Sequence, residues 1–130
     1  MEVSFAHAGI ATTDAGALSA EYAAVFDCPI VHEEHTDGMY FLFLEIGGGY
    51  LEVIEPTEEG PITEYLDEEG SGLHHFALAT DDIPAALDRA REHGVELIDE
   101  RPRPGAWGHD VAFLHPASTG GVLFEFVESA

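Results

Sequence analysis

Two histidines, His7 and His75, each stand in the middle of a mostly apolar stretch, and the stretches match. His7-Ala8-Gly9-Ile10-Ala11-Thr12-Thr13-Asp14 and His75-Phe76-Ala77-Leu78-Ala79-Thr80-Asp81-Asp82 are identical at four of eight positions, 68 residues apart. Two glutamates recur in the same way. Glu52 lies in Tyr50-Leu51-Glu52-Val53-Ile54 and Glu125 in Leu123-Phe124-Glu125-Phe126-Val127, each between apolar neighbours. A carboxylate turned inward from such a segment is costly to bury unless it is paired or bound to a metal. Two imidazoles and two carboxylates suit a divalent transition ion with open positions for substrate; ligand softness admits Zn, Co, Ni, Mn or Fe and does not choose among them. Taken singly, each histidine fits a hydrogen-bonded structural role and each glutamate a solvent-facing one. The repeat favours a shared role, because it supplies one His and one Glu per copy and a pseudo-twofold would let His7, Glu52, His75 and Glu125 converge.

The elements that must position these residues follow from periodicity. Side chains on a strand alternate between faces, so His7 shares a face with Phe5 and Gly9, and His75 with Leu73 and Ala77. After Asp14, Leu18, Tyr22, Val25 and Phe26 fall at helical spacing. After Asp82, an N-cap followed by Pro84 in the first turn, a second helix runs from Ile83 to His93 and stops at Gly94. Strands are expected over Ile30 to Glu34, Met39 to Ile46 and Tyr50 to Glu55 in the first copy. The second copy should have them over Val95 to Asp99, Val111 to His115 and Val122 to Glu128. Gly47-Gly48-Gly49 and Gly120-Gly121 mark tight turns before the last strands. The expectation is an α+β domain spanning 1–130. It is made of two tandem β-α-β-β-β modules, about 4–56 and about 72–130, in an open eight-stranded barrel-like sheet around a metal site. The connector, 57–71, carries one or two helical turns at Pro61 to Leu66.

The remaining histidines read as structural. His93 sits in the last turn of a helix and complements its dipole. His32 and His35 fall on a polar strand end and loop, His74 faces opposite His75 as a packing residue, and His109 and His115 flank a strand. Pro104-Gly105-Ala106-Trp107-Gly108 forms a Gly-rich loop able to cover a ligand. The one cysteine, Cys28, excludes an intrachain disulfide and reads as a buried thiol.

Charge bounds the partners. There are 26 acidic residues against four arginines and no lysine, a formal net charge of −22. Nucleic acid and anionic membranes are therefore excluded as partners. The acids are interleaved with regular apolar patterning, unlike a disordered acidic tail. The self-repulsion is screened in concentrated salt, so the acidity reads as adaptation to a salt-rich cytoplasm. No apolar run approaches the roughly 20 residues of a membrane span, and Met1-Glu2-Val3-Ser4-Phe5 lacks a secretory signal's basic start, so a cytoplasmic location is expected.

Paired β-α-β-β-β modules with His and Glu at these positions resemble the vicinal-oxygen-chelate superfamily, which includes glyoxalase I, extradiol dioxygenases and methylmalonyl-CoA epimerases. Three stretches are similar to the epimerases: His7 to Ala11; Gly60-Pro61-Ile62-Thr63-Glu64-Tyr65-Leu66 leading to Gly72-Leu73-His74-His75; and Arg101 to Gly105 through Phe113-Leu114-His115-Pro116 to Thr119 to Glu125. The resemblance implies that His7, Glu52, His75 and Glu125 ligate a divalent metal ion, cobalt by preference. It implies interconversion of the (2R) and (2S) forms of methylmalonyl-CoA, an acyl-CoA substrate and a homodimer. Chemically, a proton is removed and returned at a carbon between a thioester and a carboxylate, with Glu125 the first choice of catalytic base and Glu52 the second. Some epimerases carry a further glutamate on the middle strand of the first module, where Phe41 or a neighbour stands here. The alternatives are a glyoxalase I-type lyase acting on a glutathione adduct, an extradiol dioxygenase, and a metal-free ligand-binding module of the same fold.

Overall fold

A computed structural model describes residues 2–128. The element order is β1 (Ser4–Ala11), α1 (Ala15–Phe26), β2 (Ile30–Thr36), β3 (Met39–Ile46), β4 (Gly49–Pro56), α2 (Pro61–Glu69), β5 (Gly72–Ala79), α3 (Ile83–Glu92), β6 (Arg103–Pro104), β7 (Asp110–Phe113) and β8 (Phe124–Glu128). This is the expected α+β class, with one β-α-β-β-β set in each half. Two compact units result, one of residues 7–74 and the other of residues from 75 onward together with those up to Ala6. No helix among the described residues is long and apolar enough to cross a membrane.

In the first unit the strand order is β2-β3-β4-β1. β3 and β4 form an antiparallel hairpin, and β4 lies parallel to β1 with His7 opposite Tyr50 and Gly9 opposite Glu52. Alternation along β3 and β4 divides the sheet into two faces. Leu42, Leu44 and Val53 pack with Ala15 and Cys28 under α1, against Leu18 and Tyr22. Phe41, Phe43, Glu52 and Ile54 point the other way and are buried as well. Burying each large apolar side chain in such a face contributes about 1.5–3 kcal/mol. Cys28 is the buried free thiol expected.

The second unit repeats the plan, with strand order β5-β8-β7-β6 and β5 parallel to β8. Ile83, Ala86, Leu87 and Ala90 of α3 cover Ala112, Leu114 and Phe126. The opposite face carries Ala77, Val111 and Val127, with Ala6 and Phe113 packed against them.

The repeat extends to single hydrogen bonds. The first N–H groups of a helix have no intrahelical partner, and an acceptor there is worth about 0.5–2 kcal/mol. The Asp14 carboxylate accepts from Ala17 N–H at 3.0 Å, and that of Asp82 from Ala85 N–H at 3.0 Å. A second carboxylate reaches each helix start from the closing strand of the same unit. Glu55 accepts from Ala15 N–H at 2.8 Å and Glu128 from Ile83 N–H at 2.9 Å. Gly94, just past α3, takes a φ of +79°, the left-handed conformation that ends the helix there.

Two sequence expectations are corrected. The segment 95–99 is not a strand: it touches the sheet through a single bridge, Leu97 to Leu114, while Ile98 and Asp99 N–H both donate to the Phe113 carbonyl. The edge is instead the two-residue β6, with Arg103 opposite Val111. Pro102 and Pro104 lack N–H donors, which keeps such a strand short and at an edge. The last strand also starts later than expected, at Phe124, because Thr119 turns the chain by donating its hydroxyl to the Val122 carbonyl at 2.7 Å. The helix expected over Pro61 to Leu66 continues to Glu69.

Candidate functional site

Each unit carries one buried imidazole beside one buried carboxylate. In the first, His7 on β1 and Glu52 on β4 meet with Nε2 and Oε1 3.5 Å apart. In the second, His75 on β5 and Glu125 on β8 meet at 3.3 Å through the same atoms. Parallel pairing makes these meetings: β4 lies against β1 and β8 against β5, so residues 45 and 50 positions apart in the chain become neighbours. All four are at most 7 % exposed, so bulk water does not solvate the carboxylates. An aromatic ring packs edge-on against each imidazole, Phe43 against His7 at 6.1 Å and Phe113 against His75 at 5.6 Å between ring centroids. The sequence-predicted residues are thus brought together as two pairs, one in each unit.

The donor chemistry fits a metal ion. An ionised carboxylate hydrogen-bonded to a cationic donor sits at about 2.7–2.9 Å, shorter than either separation here. Two ligands of one tetrahedral ion with bonds of about 2.0–2.1 Å stand roughly 3.3 Å apart. Each His–Glu pair therefore has the spacing of adjacent ligands as well as the donor types that bind zinc, cobalt, nickel, manganese or iron. Such a set can polarise an oxygen of a bound substrate and hold a carboxylate close to it.

Most other histidines keep the structural roles expected. His93 ends α3, with its Nδ1 2.9 Å from the Arg89 carbonyl. Its helix end is also where Arg89 and Arg91 complement the dipole. His74 packs edge-on against Tyr65, and His115 accepts from Ala117 N–H at 3.1 Å to cap a short 3-10 turn. His109 stacks on Trp107, whose φ of +60° is unusual for a bulky side chain. Of the arginines, Arg91 pairs with Asp88, and Arg103 pairs with Asp99 while its guanidinium covers the Phe113 ring.

One arrangement was not anticipated. His32, expected on a polar strand end, lies 2.8 Å from Glu34 through Nε2 and Oε1 and touches the Phe43 ring. The i, i+2 spacing of His32 and Glu34 on a strand is the signal that could have placed them on one face. On the other face of β2, Glu33 accepts a hydrogen bond from Tyr40, which, with burial, raises the phenol above its usual pKa.

Comparison with known proteins agrees with this architecture. The model of the glyoxalase/bleomycin resistance protein/dioxygenase superfamily matches residues 6–113. The chain is 32% identical to the ethylmalonyl-CoA/methylmalonyl-CoA epimerase of Cereibacter sphaeroides, over 92% of this chain and 92% of that protein. Among solved structures, a hypothetical protein from Bacillus halodurans is 35% identical, with a TM-score of 0.96 over 100% of this chain and 96% of that one. A methylmalonyl-CoA epimerase of Streptomyces coelicolor, a variant solved with 2-nitronate-propionyl-CoA, is 34% identical, with a TM-score of 0.92 over 98% of this chain and 94% of that one. With a family match across most of its length and epimerases among its full-length homologues, the chain belongs to the glyoxalase/bleomycin resistance protein/dioxygenase superfamily.

Proposed function

We propose that this protein is a metal-dependent epimerase that interconverts (2R)- and (2S)-methylmalonyl-CoA by abstracting and returning the proton at C2. The observation that carries the reading is the repeated buried His–Glu pair, His7 with Glu52 and His75 with Glu125, in a chain whose relatives include epimerases of this substrate. His7, Glu52, His75 and Glu125 are proposed to hold one divalent ion between them. Such an ion supplies a Lewis acid for the thioester oxygen, where negative charge develops as the C2–H bond breaks.

The chain's own residues do the rest. Glu125, buried, is the first choice to take the C2 proton, and Glu52 the second. The electron pair of the C–H bond moves toward the thioester carbonyl to give an enolate, and a proton delivered to the opposite face completes inversion.

The test is an incubation of the metal-loaded protein with one epimer in heavy water. Interconversion accompanied by deuterium at C2 is expected, because the group that receives the proton trades it with solvent. Inertness toward methylmalonyl-CoA, together with conversion of the glutathione–methylglyoxal adduct, would instead identify a glyoxalase-type lyase.

The acidity is proposed to be a salt adaptation. With a net charge of −22, self-repulsion should weaken the fold when the Debye length grows from about 3 Å at 1 M to about 10 Å at 0.1 M salt. The melting temperature is expected to fall on that dilution. A melting temperature unchanged between those two salt concentrations would refute the adaptation.

A further inference from the structure

Inversion at C2 needs two proton-transfer groups, one for each face of the planar enolate, and the reading above assigns only one. We infer that His32, oriented by Glu34, is the second. The inference rests on the epimerase reading and on the placement of this pair in the first unit.

Register lines up His32 of β2, Phe43 of β3 and Glu52 of β4 across the sheet. Partners opposite one another on adjacent strands point to the same side, so His32 shares a face with Glu52 and not with the α1 side. The Phe43 ring stands between the two polar pairs, 6.1 Å from the His7 ring and 5.8 Å from the His32 ring by centroids. Glu34 lies opposite Phe41, on the same face again. The side chains of His32 and Glu34 are 28 % and 25 % exposed, unlike the buried His7 and Glu52, so protons can pass between this pair and solvent.

The contact at 2.8 Å supplies the mechanism. Glu34 accepts from the Nε2–H of His32, which places the ring's basic lone pair on Nδ1 and stabilises the imidazolium that forms when Nδ1 takes a proton. In one direction the imidazolium gives its proton to C2 while the carboxylate assigned above has taken the other; in the reverse direction the roles exchange. Each turnover leaves one group protonated and the other not, and exchange with solvent restores the starting state. Glu34 is a positioning residue in this account, and His32 is the catalytic one. A solvated ion pair on a strand is the competing description.

The two differ in heavy water. In the metal-loaded His32→Gln variant, interconversion should fall by about 100-fold or more, the usual range for a lost general acid or base. One epimer should still acquire deuterium at C2, because the other base continues to remove its proton, and the second epimer should not. Glu34→Gln should show the same asymmetry more weakly, with partial recovery in Glu34→Asp. Ion content and melting temperature should match the unaltered protein. His35→Gln, on the same strand but stacked on Tyr40, is the control and should behave like the unaltered protein. Unimpaired interconversion in His32→Gln, or equal loss of exchange from both epimers, overturns the inference. An unaltered protein that neither exchanges nor interconverts overturns the epimerase reading and this one together, whereas an active parent with unaffected variants overturns this one alone.

Discussion

Replacing His7 and His75 together by alanine should yield a folded chain that binds no stoichiometric divalent ion and shows none of the epimerase activity proposed above. The two residues come from equivalent strands of the two modules, and each is buried next to a carboxylate of its own unit at 3.5 and 3.3 Å. Removing both imidazoles leaves only the two glutamates as donors, too few for a site of the kind transition ions occupy in proteins. Loss of a Lewis acid worth several kcal/mol of transition-state stabilisation corresponds, at about 1.4 kcal/mol per tenfold, to a rate lower by roughly 10³-fold or more. Metal analysis of the purified variant gives the direct readout, and circular dichroism checks that the fold survives. An ion retained one per chain in the double variant would refute the assignment of these histidines, whatever the activity.

Glu125→Gln should separate chemistry from binding. Glutamine keeps the size of the side chain and one oxygen donor but removes the negative charge and the basicity. If Glu125 takes the C2 proton, turnover should drop by about 10²–10⁴-fold with a much smaller change in KM, since the interaction lost acts on the transition state. Glu52→Gln in parallel distinguishes the first choice of base from the second. Turnover undiminished in Glu125→Gln would show that the proton goes elsewhere, leaving the fold and family unaffected.

Much of this architecture is legible in the chain because it repeats. The match of 7–14 with 75–82 locates both β-to-α transitions, and Asp14 and Asp82 cap their helices as their position ahead of each helix predicts. Alternation alone leaves each glutamate free to face solvent; the repeat is what favours turning His7, Glu52, His75 and Glu125 inward, and all four are buried. Local pattern misleads where pairing is weak. The run Val95 to Asp99 has the composition of a strand yet makes a single bridge, while the edge goes to Arg103–Pro104, which follows Pro102 and ends in Pro104.

By itself the sequence determined what depends on neighbours along the chain: the class of most elements, the face their side chains take, the helix caps and the net charge of −22. Tertiary structure decided what depends on which strands lie side by side. Parallel pairing of β1 with β4 and β5 with β8 brings His7 to Glu52 and His75 to Glu125. The same closing strands send Glu55 and Glu128 to the helix starts, a second cap that no local motif announces. It also set His32 against Phe43 and Glu34 opposite Phe41, turning what reads as a polar strand end into a pair on the face that carries Glu52. The reason is physical: side-chain direction along a strand is fixed by backbone pleating over two residues. Partner choice and register are fixed only when separate apolar faces are buried together.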